Sequence, residues 1–156
     1  MAQNTVKIEG LRELEVALAE LPKATGKNVL RRVLRKRAQP IADVARSMAP
    51  DDPATGGNDL RSSIGVGTRL SPRQRALHRK AVKDDRAFAE MFVGAGPLPH
   101  SHMQEFGTVH HGPQPFMRPA WDGGKAATLD GIADDLWSEI DKSARRLAKK
   151  RAKAGL

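Results

Sequence analysis

The spacing of apolar residues predicts helices in the first third of the chain. Leu11, Leu14, Leu18 and Leu21 recur every three or four residues, as on one face of a helix, and Pro22 ends the pattern. A longer pattern follows, with apolar residues on one face: Leu30, Val33, Leu34, Ile41, Val44, Ala45 and Met48. The opposite face is basic: Lys27, Arg31, Arg32, Arg35 and Lys36. Because Pro40 lies inside it, the segment is either one kinked helix or two helices that meet near Gln39.

Alternating apolar residues predict three short strands, at residues 5–9, 60–70 and 87–94, of which the last is the candidate central strand. From Lys125, apolar residues again recur at helical spacing: Leu129, Ile132, Ala133, Leu136, Ile140, Ala144 and Leu147. The order of strand, helices, strands and helix predicts an α+β fold. A small antiparallel sheet would pack with N-terminal helices and a long C-terminal helix.

The chain of 156 residues fits one domain, which we place at residues 1–145, followed by a basic helix end or tail at residues 146–156. It contains no cysteine, so disulfides and thiolate metal sites are excluded. The N-terminus does not have the pattern of a signal peptide. No stretch approaches the roughly 18 apolar residues of a membrane span, so we expect no membrane contact.

The net charge of +9 favours polyanions or acidic proteins as partners. Residues 71–85 are rich in cations and poor in apolar residues, which predicts a mobile loop or an exposed helical arm. Residues 142–153 hold seven Lys and Arg, which indicates either a solvated helix end or a contact surface. The candidate contacts with DNA or an acidic neighbour are Arg73, Arg75, Arg79, Lys80, Lys149, Lys150 and Arg151. With only four Phe, two Trp and no Tyr, a stacking platform for single strands is disfavoured.

Signs of catalysis are weak. Four histidines lie between prolines, at His100, His102, His110 and His111, but no His-Glu-x-x-His helix is present. The sequence also contains no nucleophile elbow and no phosphate-binding loop. We therefore expect no enzyme activity, no bound metal and no cofactor. The histidines leave one alternative of lower rank, a small metal-dependent hydrolase or nuclease.

A pair of motifs carries the most specific signal. Residues 105–108 read Glu-Phe-Gly-Thr, and residues 115–120 read Pro-Phe-Met-Arg-Pro-Ala. Upstream are Ala49-Pro50, Thr55-Gly56 and the segment Leu-Arg-Ser-Ser-Ile at residues 60–64. In this order they resemble the tail-completion family of lambdoid and related long-tailed phages and prophages, whose members are also described as minor tail or head-tail joining proteins. The resemblance covers about residues 5–145.

The resemblance implies a non-enzymatic structural subunit of the virion at the head-tail junction, made in the cytoplasm of the bacterial host. It would form a homo-oligomeric ring of six subunits, or of twelve at the connector. Its neighbours would be the connector and a tail-tube or tail-terminator protein, with non-specific contact to passing DNA. His100 and His102 replace aromatic residues common in the family, and the insertion at residues 71–85 is unusually basic.

The motif pair supplies the candidate assembly residues: Glu105, Phe106, Gly107, Thr108, Pro115, Phe116 and Arg118. Phe106 and Phe116 flank a loop rich in Pro and Gly. We expect their side chains to fix the two ends of this loop to the core, and Gly107 to permit a turn. Arg118 would pair with Glu105 or with an acidic residue of an adjacent subunit. The simpler interpretation makes Phe106, Phe116 and Trp121 ordinary core residues.

A second function class competes with the phage structural role. The charge alone would suit a basic DNA-binding protein, although no helix-turn-helix, zinc or RNA-recognition signature is present. Salt separates these alternatives, because a DNA binder loses affinity steeply as the salt concentration rises.

Overall fold

The computed structural model describes residues 11–51, 59–82, 89–96, 98 and 100–153. Along these residues six helices and two strands follow in order: α1 Leu11–Ala19, α2 Lys23–Met48, α3 Leu60–Ser63, β1 Ile64–Gly67, α4 Pro72–Val82, β2 Phe92–Ala95, α5 Ser101–Phe106 and α6 Met117–Lys153. The predicted α+β fold is confirmed: the described chain is mostly helical, with a small antiparallel sheet and a long C-terminal helix.

The two long helices, α2 and α6, form the frame of the molecule. Ile41 of α2 meets Gly124 of α6, whereas Arg32 of α2 pairs with Glu139 further along α6, so the helices run antiparallel. Asp135 of α6 adds further ion pairs to α2, so charged side chains as well as apolar packing join the two helices.

Two apolar clusters form the core, one near each end of this helix pair. The first joins α2, the hairpin region and the start of α6: Ile41, Ala42, Ala45, Ala49, Leu60, Ile64, Phe116 and Ala120. The second joins α1, the first half of α2 and the second half of α6: Leu14, Leu21, Val29, Val33, Leu136 and Ile140. The predicted apolar faces are therefore buried only in part, because Val44 and Met48 of α2 are 46% and 45% exposed and Ala144 of α6 is exposed.

The strands β1 and β2 form an antiparallel hairpin that lies along α2. Ile64 faces Ala95 and Val66 faces Val93, and these four side chains pack in or against the first cluster. The Arg46 side chain of α2 donates two hydrogen bonds to the Ile64 carbonyl, at 2.9 and 2.7 Å. The hairpin is thus fixed to α2 by its apolar face and by its backbone.

The predicted strands are shorter than expected. In the part of the chain that the structure describes, only Ile64–Gly67 and Phe92–Ala95 are strands, so β2 is not a central strand there. Leu60–Ser63 is a helical turn, so the strand prediction for residues 60–70 is wrong at both ends. The reason at the start is Asp59, whose carboxylate accepts a hydrogen bond from the Arg61 N–H at 2.8 Å and caps the turn. The predicted strand at residues 5–9 and the start of the one at 87–94 lie outside the described residues.

The structure decides between the two alternatives for α2 and moves the start of the final helix. The helix α2 continues through Pro40, so the alternative of two helices meeting near Gln39 is wrong. Proline removes one backbone hydrogen bond, a loss that a helix packed along most of its length tolerates. The final helix begins at Met117 and not at Lys125, because a side chain from α5 binds its first N–H groups, as described below.

For the basic segment at residues 71–85, the sequence predicted either a mobile loop or an exposed helical arm, and its described part is a helix. The helix α4 spans Pro72–Val82 and buries none of its residues. Its start is a capping box: the Gln74 N–H donates to the Ser71 hydroxyl at 3.3 Å, and the Ser71 N–H donates to the Gln74 side chain at 3.0 Å. His78 stands edge-on to Phe92 of β2, with 5.3 Å between ring centroids, and connects α4 to the hairpin.

Candidate assembly site

The candidate site centres on the Glu105 carboxylate, which caps the start of α6. Glu105 is buried at the end of α5. Its Oε2 accepts hydrogen bonds from the N–H groups of Phe116 and Met117 at 2.8 and 2.9 Å, and its Oε1 accepts one from the Arg118 N–H at 3.0 Å. The first N–H groups of a helix have no partner within the helix. Glu105 therefore closes the residue 107–115 loop by binding both of its ends together.

The environment of Glu105 keeps it ionised. Burial raises the pKa of the Glu105 carboxyl, but the three backbone N–H donors and the Arg118 side chain outweigh it, so the pKa is lowered from 4.5. The positive end of the α6 dipole favours the same charged form. At neutral pH the cap is a carboxylate.

Arg118 covers this cap from the solvent side. Its Nε lies 3.2 Å from Glu105 Oε1 and its Nη2 lies 3.3 Å from the Glu105 backbone oxygen. Its guanidinium is 4.7 Å from the centroid of the Phe106 ring. The first of the two partners predicted for Arg118 is thus found within the chain, and the Arg118 side chain stays 60% exposed.

Gly107 makes the turn that leaves α5. Its φ is +80°, a conformation that side chains with a Cβ rarely adopt. A Cβ added at Gly107 would also lie only 2.8 Å from the Pro113 nitrogen. The predicted turn is confirmed, and close approach of the backbone is a second reason for glycine here.

Hydrogen bonds within the loop hold its shape. The Thr108 N–H donates to the His111 oxygen at 2.9 Å, and the Thr108 hydroxyl accepts from the His110 and His111 N–H groups at 3.1 and 3.3 Å. At the base of the loop the Gln114 N–H donates to the Gln104 oxygen at 2.7 Å. The loop is therefore a closed turn with internal bonds, which fixes what its tip presents.

The loop and α5 expose apolar side chains to solvent. Val109, inside the Thr108–His111 turn, is 99% exposed, and Phe106 and Met103 are 64% and 43% exposed. Such residues gain most by contact with another surface. We call Met103, Phe106 and Val109 the exposed apolar patch.

The three aromatic residues that were predicted as core residues differ in their burial. Phe116 is 1% exposed and belongs to the first core cluster, as predicted. Phe106 and Trp121 are more than half exposed, so the core interpretation is wrong for both, and Phe106 does not pin the loop. Glu105 holds that end instead. Pro115 is exposed beside Phe116.

The histidines that the sequence singled out lie on or next to α5 and in the loop, whereas the predicted cationic contacts lie on α4 and α6. His102, His110 and His111 are exposed, and within the described ranges no three His, Asp or Glu side chains are grouped so that they could hold a metal ion. The basic residues of α4 and of the end of α6 lie on exposed helix surface. The side chain of Arg151 is outside the described part. None of the described helices has the length and apolarity to cross a membrane.

Sequence reasoning missed Val109 and the backbone cap. The exposure of Val109 could have been predicted, because it is an isolated apolar residue in a run of His, Gly and Pro and no apolar neighbours are available to bury it. The three backbone N–H groups that donate to Glu105 could not have been predicted, because nearly every residue type has such a group.

A loop that is closed by internal hydrogen bonds and carries exposed apolar side chains is suited to a protein that assembles with other chains. The chain matches the family described as "Bacteriophage HK97-gp10, putative tail-component" over residues 12–107, and it belongs to this family. It is thus a phage tail component. The matched range includes Glu105, Phe106 and Gly107, whereas residues 115–120 lie beyond it. No curated protein and no solved structure gives a significant match.

Proposed function

We propose that this protein is a non-enzymatic structural subunit that forms a closed ring at the head-tail junction of a phage particle. There it completes the tail or links it to the connector. Membership in a family of phage tail components supports the setting, and the paired motifs at residues 105–108 and 115–120 support the position within the particle. Its place is the virion, and its assembly occurs in the bacterial host.

The observation that carries the proposal is the exposed apolar patch, which is formed by two side chains of α5 and by Val109 of the closed loop. A ring requires a contact between two different surfaces of identical subunits, repeated until it closes. A loop that is already ordered loses little conformational freedom when it docks, so its apolar side chains contribute more of their burial to binding. Val109, almost wholly exposed at the tip, is suited to enter a neighbouring subunit.

The proposed ring has six subunits, with twelve as the alternative at the connector. One face would contact the connector, and the other a tail-tube or tail-terminator protein. The exposed side chain of Arg118 is then free to add a contact to a neighbour's carboxylate while it keeps its bond to Glu105.

A phage or prophage without this gene tests the proposal. Particles made without the protein should accumulate as separate heads and tails, and a plasmid copy should restore joining. Labelled protein should be found at the junction of restored particles, in six or twelve copies. Joined, infectious particles that form without the protein would refute the proposal.

A second candidate is a basic DNA-binding protein without a sequence-reading motif. The exposure of the α4 cations favours it: Arg73, Arg75, Arg79 and Lys80 all lie on exposed helix surface. The end of α6 offers Lys149 and Lys150 in the same way. These residues are proposed contacts with DNA or with an acidic neighbour. Steep salt dependence of DNA binding, together with normal joining in the deletion, would favour this candidate.

A further inference from the structure

One strip of α2 changes from apolar to cationic where the hairpin above it ends. Ala42, Ala45 and Ala49 belong to the cluster beneath the hairpin. Toward the start of α2 the same strip continues, at helical spacing, as Arg35 and Arg31. These arginines lie beyond the end of the hairpin, where neither β1 nor β2 covers them.

An open cleft marks this place. It is lined on α2 by Arg31, Arg32, Arg35 and Lys36, and on the hairpin side by Thr68 and Met91. Thr68 directly follows β1, and Met91 directly precedes β2. We call this the basic cleft. It has four cationic side chains and the Thr68 hydroxyl at its edges, while Met91 and the aliphatic stems of the cations form much of its wall.

Two of the four cations are already neutralised by α6. Arg32 pairs with Glu139, and Lys36 pairs with Asp135 at 2.9 Å. Hydrogen bonds from Arg37 and Lys36 lower the pKa of Asp135 to about 2, so at neutral pH this carboxylate stays charged.

The other two cations of the basic cleft have no such compensation. Arg31 and Arg35 make no ion pair with a carboxylate of the described chain, and both are exposed. They stand one helical turn apart, about 6 Å along the axis. Within the described ranges, the cleft therefore has two guanidinium groups without a carboxylate partner, one helical turn apart, and this arrangement suits successive anionic groups on one ligand.

We infer that Arg31 and Arg35 bind the phosphate backbone of duplex DNA in the basic cleft, with the Thr68 hydroxyl as a further donor. The guanidinium fork matches phosphate geometry. The charge continues past the cleft, because Arg69 follows Thr68 and α4 adds exposed cations close behind it. Such a series suits a polymer of phosphates better than a single anion.

Duplex DNA fits the cleft better than a single strand does. Proteins that bind single strands stack the bases on aromatic side chains. Among the described residues no aromatic side chain lines the basic cleft, and the exposed aromatic residues are Phe106, Trp121 and Trp137, on α5 and α6. Binding should therefore follow the backbone and ignore base sequence.

Fluorescence anisotropy of the full chain with a labelled duplex of arbitrary sequence, titrated over a salt series, tests the inference. The double variant Arg31→Gln/Arg35→Gln is compared with Arg12→Gln/Lys23→Gln. The control removes the same charge from two exposed residues that do not line the cleft. Circular dichroism establishes that both variants fold.

The plot of log affinity against log salt should be less steep in the cleft variant, with the magnitude of its negative slope smaller by about 2, since each lost phosphate contact removes about 0.9. The control should keep the wild-type slope. Absence of DNA binding by the wild type, or equal loss in both variants, overturns the inference. So does a cleft variant that binds DNA normally but loses polyglutamate, which would mean an acidic protein partner. The inference does not depend on ring formation, so each can fail separately.

Discussion

At the scale of single residues, Glu105 joins folding to the proposed assembly. Its carboxylate is buried, caps α6 through three backbone N–H groups, and receives Arg118 from outside. Because it holds the two ends of the loop together, it also sets the direction in which Val109 points. A substitution at Glu105 should therefore affect stability and assembly together.

Replacing Glu105 with Gln should lower the free energy of unfolding by about 1–3 kcal/mol, because a neutral amide cannot replace charged hydrogen bonds to three donors. Urea unfolding measures this. Glu13→Gln is the control, since Glu13 is exposed on α1 and should change little. An unchanged urea midpoint for Glu105→Gln would contradict the role of the cap.

The same carboxylate predicts a pH dependence. Its pKa is lower in the folded state than the ordinary 4.5, so its contribution to stability is complete above about pH 4.5. The contribution is lost as the pH falls through the lowered value, because the unfolded chain then binds the proton more readily. Urea midpoints measured from neutral to acid pH should fall less steeply for Glu105→Gln than for the wild type. Parallel profiles would count against this account.

Phe116→Ala should destabilise the protein by about 3–5 kcal/mol, since the ring is fully buried in the first core cluster. Phe106→Ala serves as the comparison, because that ring is mostly exposed and should cost much less. The measurement is the denaturant midpoint of each variant. A loss below about 1 kcal/mol for Phe116→Ala would mean that the ring is not packed in the free subunit.

At the scale of elements, adjacent glycines of α6 have opposite roles. A Cβ at Gly124 would lie 2.7 Å from Ile41 Cγ1 of α2, whereas a Cβ at Gly123 would meet nothing within 4 Å. Gly124 thus permits the close approach of α2 and α6, and Gly123 only weakens the helix.

Gly123→Ala should therefore raise the free energy of unfolding by about 0.5–1 kcal/mol, through better helix propensity. Gly124→Ala should lower it, because forcing a methyl group into a packed contact costs about 1–3 kcal/mol. Thermal or urea unfolding of the two variants gives the comparison. If both stabilise the protein equally, α2 and α6 do not pack closely at this point.

The backbone amides of α4 should exchange with solvent much faster than those of α2. The helix α4 buries none of its residues and meets the hairpin through His78, whereas α2 contributes to both core clusters. Local opening should therefore cost little free energy in α4. Hydrogen exchange followed by mass spectrometry on the isolated subunit measures this. Protection of α4 equal to that of α2 would show that something else holds it.

The elements differ in how far the sequence could predict them. Periodicity located α1 and α2 well, since their buried faces follow a simple repeat. The strands were overestimated because Asp59 caps a helical turn just before Ile64. The start of α4 was predictable from the Ser71 and Gln74 capping box. The start of α6 was not, because it depends on Glu105 from a separate helix.

At the scale of the whole molecule, the two proposed surfaces lie at different ends of the hairpin. The loop follows from the Ala95 end, near the last turns of α2, and the basic cleft lies at the Thr68 end, beside Arg35. Met48 lies thirteen positions after Arg35 on α2, which is about 20 Å of helix. Contacts with a neighbouring subunit and with DNA can thus be removed one at a time.

Complementation with Val109→Asp tests the central claim most directly. A charge at the tip of the loop should block docking while the fold is kept, because Val109 is 99% exposed in the isolated chain. Val16→Asp is the matched control on α1, where the valine is 57% exposed. In a phage lacking the gene, Val109→Asp should leave heads and tails separate, and Val16→Asp should restore joined, infectious particles. Normal joining with folded Val109→Asp protein would contradict the claim that this loop is an assembly surface.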